Sequence, residues 1–345
     1  MGETNQDDVS ESSVSAAFVP GTLYFMRERD FLTGEEFDYF KIGIVKGDRS
    51  VEKREEDHKT GNPRRVYTIR ELSSVAVQKL ETMLHNEFAS NRVSSAEWFH
   101  FPDESIEAVI NRALELNARL DEEIESLKQA KAIKAPGSAP VIRATAEILA
   151  DAELLALTQA EQKIVKKRLG YISERILELT EGRPEFENLI KYSNQPRKHE
   201  FAVSTLSKDH KALYLEFKIL EKISTRPQFL TPLASPSADE VYQKYGLETK
   251  DLSDVEPVQL HQAYLAHWSL VKKLDWEGEI LKSRILVAGK DASGIGDVLA
   301  WEQTKKIEFD KAAFQAAHPD VYDSCFKTSE AHVSRAIAEW ASYKI

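Results

Sequence analysis

Apolar and polar positions change rhythm along this chain, and the changes predict a short β-rich segment followed by long helices. The run Gly21-Thr22-Leu23-Tyr24-Phe25-Met26 is apolar and aromatic and suits a strand. Arg27 to Asp38 is polar, contains Gly34, and reads as a hairpin connection into a second strand, Tyr39-Phe40-Lys41-Ile42-Gly43-Ile44-Val45. A short polar loop favours antiparallel pairing of the two. Ser50 is placed to cap a helix over Ser50 to Lys59, which Thr60-Gly61-Asn62-Pro63 then stops, because Gly accepts the terminal turn and Pro prevents continuation. Arg65 to Glu71 alternates as a third strand. Val77, Leu80, Leu84 and Phe88 recur at three- and four-residue spacing and predict a helix over Ser74 to Ala89. Trp98-Phe99-His100-Phe101 closes the unit as an extended segment against the sheet.

Beyond Pro102 the rhythm is helical. Ser105 to about Ala132 carries Ile106, Val109, Ile110, Ala113 and Leu114 on one side, and Ala135-Pro136-Gly137-Ser138-Ala139-Pro140 is a linker by composition. Helical patterns resume over Arg143 to Leu179 and over Lys208 to Ser224, and a Pro- and Ser-rich break follows from Arg226 to Ser237. Val258 to Val287 is a long helix with Leu260, Tyr264, Trp268, Leu270 and Leu274 as its buried side. The tail holds a Gly-rich turn, a short strand around Val298 to Trp301 and two short helices. The expected class is α+β. The domain plan is a disordered acidic arm over 1–18, a small three-stranded antiparallel sheet flanked by helices over 19–104, a helix and linker over 105–140, a helical middle region over 141–255, and a long helix with a small α/β end piece over 256–345.

Composition narrows the function classes. A formal net charge of -11 argues against a protein that coats nucleic acid through bulk charge, but it permits a local basic patch that holds a few phosphates. One cysteine, Cys325, excludes an intrachain disulfide and a cysteine-rich zinc site. The first twenty residues lack the apolar core of a signal peptide, and no run of eighteen apolar residues occurs, so the cytoplasm is the expected location and no membrane partner is expected. The aromatics Trp268, Trp276, Trp301, Tyr322 and Phe326 read mostly as core, with stacking of one or two on the bases of a single strand as the alternative.

Candidate chemistry concentrates in the β-rich unit. Tyr24 sits among apolar residues of the first strand, Arg54 lies in the following helix, and Glu81 borders the apolar stripe of the next one, with His85 one turn on. Hydrolysis of a phosphodiester needs a group to activate water, positive charge on the phosphate and usually a divalent ion. Tyrosine, arginine and glutamate with such an ion cover these roles. From the residues alone each has a plainer account: packing for Tyr24, a surface cation for Arg54, a solvated helix charge for Glu81. Lys53, Arg54, Lys59, Arg64, Arg65 and Arg70 form a basic stretch around them, interrupted by Glu52, Glu55, Glu56 and Asp57.

Five segments in order sharpen the picture. Gly21-Thr22-Leu23-Tyr24, Lys41-Ile42-Gly43, Glu52-Lys53-Arg54 with Thr60-Gly61-Asn62-Pro63, Leu80-Glu81-Thr82-Met83-Leu84-His85 and Glu97-Trp98-Phe99 together resemble the GIY-YIG nuclease superfamily, in the branch of phage and bacterial proteins whose second signature is written KIG. The resemblance implies a metal-dependent DNA endonuclease of phage or prophage DNA metabolism or of defence against phage, with DNA as partner and Mg2+ or Mn2+ as cofactor. It implies Tyr24 and Arg54 as catalytic residues and Glu81 as catalytic and metal-binding. It places Lys41 where a tyrosine is usual, leaving Lys41, Lys53, Lys59, Arg64 and Arg65 as candidate phosphate contacts. His58, one turn beyond Arg54, is a catalytic candidate that some members of the superfamily share, beside the reading of a half-exposed helix histidine. His85 either orients Glu81, packs against Trp98 or ligates metal. Glu97 is either a second carboxylate near the metal or a sheet-edge charge. The alternative function is a nuclease-fold module without turnover that binds DNA or a protein.

The C-terminal stretch resembles the accessory region of YqaJ-type phage recombination exonucleases. The resemblance rests on Glu279-Ile280-Leu281-Lys282, Gly294-Ile295-Gly296, Val298-Leu299-Ala300-Trp301, Phe309-Asp310, Phe314, His318-Pro319-Asp320, Tyr322 and Lys327-Thr328-Ser329-Glu330. The nuclease core that normally precedes it is absent. Gly294 and Gly296 lack the Gly-Lys-Ser/Thr of a phosphate-binding loop and read as a turn. The helices between 143 and 224 are expected to bundle or to pair between subunits, as a homo-oligomer or with a protein partner, in coiled-coil fashion.

Overall fold

A computed structural model describes residues 18–47, 49–59, 64–93, 97–247, 252 and 254–341, with the backbone alone at 59, 103 and 104. The acidic arm up to residue 17, the Thr60 to Pro63 turn and the Lys59 side chain lie outside the described residues.

Strand β1 (Gly21–Asp30) pairs on one side with β2 (Glu36–Lys46) and on the other with β3 (Arg64–Ser74), and β2 pairs in turn with β4 (Trp98–His100). All pairings are antiparallel and the order is β3-β1-β2-β4. The closing segment expected only to lie against the sheet is therefore a fourth strand. β1 is central and covered on both faces, which is why it reads as a continuous apolar run rather than an alternation. One face presents Leu23, Phe25, Phe40, Ile42 and Phe99 to a helical layer. The other presents Tyr24, Met26, Val45, Val66 and Trp98 to Val51, at the start of helix α1 (Val51–Lys59). Glu55 ties α1 to the sheet by accepting from the backbone N–H and hydroxyl of Thr68, at 3.1 and 3.2 Å. It is a strut, and not one of the solvated charges expected along α1.

Helix α2 (Val77–Glu87) starts three residues later than its periodicity predicts, because β3 continues to Ser74. It buries Val77, Leu80 and Leu84 against the sheet. Helix α3 (Asp103–Ala132) continues the same core through Ile106, Val109, Ile110 and Ala113, then through Leu116, Leu120, Ile124 and Leu127. Trp276 and Ile280 complete that cluster from helix α8 (Pro257–Ala288). The core of the β-rich unit thus runs well past residue 104, and α3 belongs to it rather than to a connector.

α8 also carries helix α4 (Ala146–Leu179) along its length. Leu155 meets Leu281 and Ile285, Val165 meets Leu270 and Leu274, and Ile172 and Ile176 meet Leu260, Tyr264 and Leu265. That order makes the pair antiparallel, and the apolar side of α4 is used within the chain. Ion pairs fasten the layers: Lys79 to Glu279 at 2.8 Å, Arg119 to Glu277, and Arg284 to Glu123. The composition-defined linker is docked. Gly137 and Ala139 donate to the carbonyls of Ala292 and Asp291 at 2.9 and 3.0 Å, and Ile142 donates to the Gly294 carbonyl at 3.2 Å and accepts from Gly296 N–H at 2.9 Å. A Cβ on Gly137 would lie 2.1 Å from the Asp291 backbone, so only glycine permits this approach.

The stretch predicted as a helix over 208–224 forms instead two short helices, α5 (Val203–Asp209) and α6 (Lys211–Glu216), and strand β7 (Leu220–Phe229). β7 pairs with β8 (Leu299–Glu308), a longer strand than the tail pattern suggests. β5 (Ile190–Gln195) pairs with β10 (His332–Ile337), and β6 (His199–Phe201) with β9 (Phe326–Thr328). The two short tail helices are α9 (Lys311–Ala317) and α10 (Pro319–Ser324). Helix α7 (Ala238–Tyr245), after the Pro- and Ser-rich break, is held by a Ser237–Glu240 capping box and by Lys244 and Tyr245 on buried Glu161. No helix among the described residues is long and apolar enough to cross a membrane.

Candidate active site

The site forms where β1, β2, α1 and α2 meet. Tyr24 lies opposite Gly43 in the β1–β2 register and is fully buried. Its ring rests on Gly43: a Cβ there would sit 2.4 Å from the phenolic oxygen. The glycine of the KIG segment is thus required by the tyrosine across the ladder. Among the described residues the phenolic oxygen makes no hydrogen bond of ordinary geometry, and the group close enough to donate to it is the Arg54 guanidinium. Burial pushes the phenol above its ordinary value of 10; the Arg54 guanidinium beside it works in the opposite direction, and the Glu97 and Glu81 carboxylates add to the rise.

α1 brings Arg54 and His58 to the same place, one turn apart. Arg54 keeps a half-exposed guanidinium, 3.8 Å from Asp57. His58 Nε2 is buried and unpaired, and burial together with Lys41 and Arg54 holds the imidazole below 6.5, neutral at neutral pH. α2 contributes Glu81 along the free side of β2. Lys46 donates to Gln78 at 2.8 Å near one end of α2, and His85 Nε2 meets the Ile42 carbonyl at 3.0 Å near the other. Glu81 lies between these anchors, just past the point where β4 stops pairing. Its Oε1 is buried without a partner, and burial plus the Glu97 charge raises its carboxyl to about 7.

Two residues have other employment than the sequence suggested. Lys41 is buried and bonded to Glu97 at 2.7 Å, with its ammonium 5.9 Å from the centre of the Trp98 ring. Its charge answers Glu97, so it is not a free phosphate contact. His85 neither orients Glu81 nor meets Trp98. It donates to the Ile42 carbonyl, packs against Phe99 at 5.1 Å, and burial lowers it to about 4.

Arg64 and Arg65 are not gathered here. They pair with Asp30 and Arg29, six and five positions along β1 from Tyr24, or about 15–20 Å at a strand's rise. Arg64 is bound to Glu28 at 2.9 Å and lies over Phe37. The cations that do line the cleft beside α1 are Lys46, Arg49, Lys53 and Arg54, together with Ser50 and Asp57. Lys46 and Arg49 went unnoticed in the sequence, although both follow the KIG strand within a few residues. Glu97 was noticed only as an option. Burial works to raise its carboxyl, but Lys41 outweighs that and keeps it low and ionised, within electrostatic reach of Tyr24, Arg54, His58 and Glu81.

Among the described residues, no three histidine, cysteine, aspartate or glutamate side chains converge to enclose a metal ion. Glu81 is the group suited to a divalent cation in a more open manner. Its buried unpaired oxygen and raised carboxyl mark a negative charge lacking compensation, and Mg2+ is commonly held by one or two carboxylates with waters and substrate phosphate supplying the rest.

Residues 21–114 match the family model of the T5orf172 domain, a domain related to the GIY-YIG nuclease superfamily. No curated protein and no solved structure matches the chain, and none of the comparisons supports a YqaJ-type C-terminal region.

Proposed function

We propose that the N-terminal unit is a metal-dependent DNA endonuclease that hydrolyses phosphodiester bonds at the Tyr24–Arg54–His58–Glu81 site. One observation carries the reading: His58 Nε2 and Glu81 Oε1 are buried and unpaired within one electrostatic cluster with the buried Tyr24 Oη, whose neighbouring donor is Arg54. Buried polar atoms without partners are costly, and such a cluster is the usual mark of a site that completes itself with substrate.

The roles follow from the chemistry of each group. The phosphate backbone lies along Lys46, Arg49, Lys53 and Arg54, and Arg54 holds the scissile phosphate by its half-exposed guanidinium. His58, neutral with a free Nε2, accepts the proton of the attacking water. Tyr24 keeps its proton, so its hydroxyl orients that water by hydrogen bonding while Arg54 beside it faces the phosphate. Glu81 would hold Mg2+ or Mn2+, which when bound supplies positive charge to the phosphate oxygens as negative charge develops. Lys41 and Glu97 neutralise each other and keep the wall of the site polar and rigid.

Purified protein incubated with supercoiled, linear and branched DNA, with and without Mg2+ or Mn2+, tests this reading. Metal-dependent cleavage is expected, reduced at least about 100-fold by Glu81→Ala, Tyr24→Phe or His58→Ala, in line with the loss of one catalytic group. Cleavage unchanged by Glu81→Ala would remove that residue from the site. Because protons compete with metal for a carboxyl near 7, the acid limb of the activity profile should move to lower pH as metal concentration rises. The Lys41–Glu97 ion pair favours a second reading, a DNA-holding module without turnover, since it takes up one of the two carboxylates near the site. Absence of cleavage on every substrate and with either metal would establish that reading instead.

A further inference from the structure

The region beyond the helical platform contains an internal duplication that neither composition nor periodicity brings out. Helices α5 and α9 are related by a shift of 108 residues, and so are α6 and α10. Under the same shift, Gln195, Lys198, Glu200, Phe201, His210 and Tyr214 fall on Gln303, Lys306, Glu308, Phe309, His318 and Tyr322. The contacts between the copies are reciprocal. Phe201 stacks on Tyr322 at 4.5 Å and Phe309 on Tyr214 at 5.8 Å. Ala202 N–H donates to the Cys325 carbonyl at 3.0 Å, and its counterpart Asp310 N–H donates to that of Phe217 at 2.8 Å. Two strand–helix–helix–strand units therefore embrace about a local pseudo-twofold axis. Each strand pairs with the other unit: β5 and β6 with β10 and β9, and β7 with β8.

The two resulting ladders have diverged in charge. In the β7–β8 ladder, every cation has a carboxylate: Lys222 and Lys306 on Glu308 at 2.6 and 3.0 Å, Arg226 on Glu302 at 2.6 Å, and Lys305 on Glu221 at 3.1 Å. In the other ladder, Arg197 occupies the place of Lys305. Glu221, which faces Ile307, falls on Ser329 under the shift, and the residue facing His199 is Thr328 because this ladder is displaced by one position. The carboxylate has become a hydroxyl, and the cation stands without it. Exposed Lys191, Arg197 and Lys327 form no ion pair among the described residues, while Lys198 is 3.9 Å from Glu200. In residues 190–201 and 326–337, Arg335 is taken up by the Leu177 carbonyl and the Thr180 hydroxyl, which leaves four cations (Lys191, Arg197, Lys198, Lys327) against two acids (Glu200, Glu330), a balance of +2 in a chain of net charge -11. Tyr192, half exposed, stands among them.

We propose that this basic ladder is a second nucleic-acid contact, which grips the DNA phosphate backbone independently of the N-terminal site. Its charge is opposite to that of the whole chain, and a two-stranded antiparallel ribbon has the section that a DNA major groove admits. The pseudo-twofold packing fixes the ladder to a rigid aromatic knob, so the cations are presented without ordering a loop on binding. DNA held by the ladder would be kept at high local concentration for the site on the sheet.

Fluorescence anisotropy of the full chain with labelled duplex and single-stranded DNA, in chelator so that no cleavage occurs, tests the assignment. The triple change Lys191→Glu, Arg197→Glu, Lys327→Glu should weaken duplex binding at least about tenfold and flatten the dependence of log Kd on log salt by about 2 to 3, near 0.9 for each phosphate no longer neutralised. The paired change Lys222→Gln, Lys306→Gln in the other ladder should alter affinity less than about twofold, and thermal melting should show both variants folded. Equal binding by the triple variant and the parent overturns the proposal, as does loss of binding by the two variants alike. Tyr24→Phe and Glu81→Ala proteins serve in the same assay. If the parent fails to cleave but its binding still depends on the ladder, the nuclease reading fails and the ladder assignment stands; if cleavage is present but the ladder changes leave binding intact, the reverse holds.

Discussion

At Glu81, burial and the neighbouring Glu97 raise the carboxyl from 4.5 to about 7. A group whose folded value is raised contributes stability below its unfolded value and loses it as pH climbs through the folded one. Metal-free protein should therefore be stabilised by Glu81→Gln above pH 7, by up to about 2–3 kcal/mol, with parent and variant alike near pH 4. Urea unfolding in chelator at both pH values checks this; an equal effect at each would mean that the carboxyl is not charged against its surroundings. His85 runs the other way. Held down to about 4, it contributes stability above 6.5 that is lost as pH falls toward 4. Gly43 offers a steric test of the site. Gly43→Ala places a Cβ 2.4 Å from the Tyr24 oxygen, so the ring must swing away. The expected cost is about 1–3 kcal/mol, as for overpacking, with cleavage falling as far as in Tyr24→Phe. Melting and nuclease assays on one preparation would show it, and full activity would mean that the phenol can move without consequence.

At the scale of elements, the helices with strong periodicity were legible and the strands with distant partners were not. α2, α4 and α8 lie within a few residues of their predicted spans because apolar positions recur at helical spacing through them, and α1 does so because Ser50 marks its start. The 208–224 stretch failed as a helix because Leu213, Leu215, Phe217 and Ile219 recur at a spacing of two, not the three to four of a helix, and the partner that makes β7 a strand is β8, about 80 residues further on. The linker shows the same dependence. Ala135 to Pro140 has the composition of a free connector, yet its backbone is taken up by the 291–296 turn, an association that only Gly137 permits. Gly137→Ala should open it. Limited proteolysis is expected to cut between 133 and 145 in the variant and not in the parent, with faster amide exchange at Ala139 and Ile142. Matching digestion patterns would show that the docking survives the added methyl.

At the scale of the molecule, the matched domain ends at residue 114 but its hydrophobic core does not. Leu116, Leu120, Ile124 and Leu127 continue it toward Trp276 and Ile280, so the sheet and the platform share one interior. Leu120→Ala should cost about 2–5 kcal/mol, as buried leucines do, and should lower the melting of both parts together. A fragment of residues 18–114 should melt well below the full chain or aggregate, since it leaves α2 and α3 uncovered. A fragment that melts like the intact protein would show that the platform is dispensable to the sheet.

The sequence by itself determined the elements that carry Tyr24, Arg54, His58 and Glu81, because those strands and helices are set by local pattern. It also determined that a β-rich unit comes first and long helices follow, though not the strands at 190–201 and 220–229. Tertiary structure alone decided which charges are free. Lys41 and Arg64 are occupied by Glu97 and Glu28, while Lys46 and Arg49 face the cleft. It alone decided that the linker is docked and that α4 pairs within the chain. It also decided that two sequence-distant units close around one another. Each of these depends on contacts between residues far apart in the chain, where neither period nor composition carries a signal.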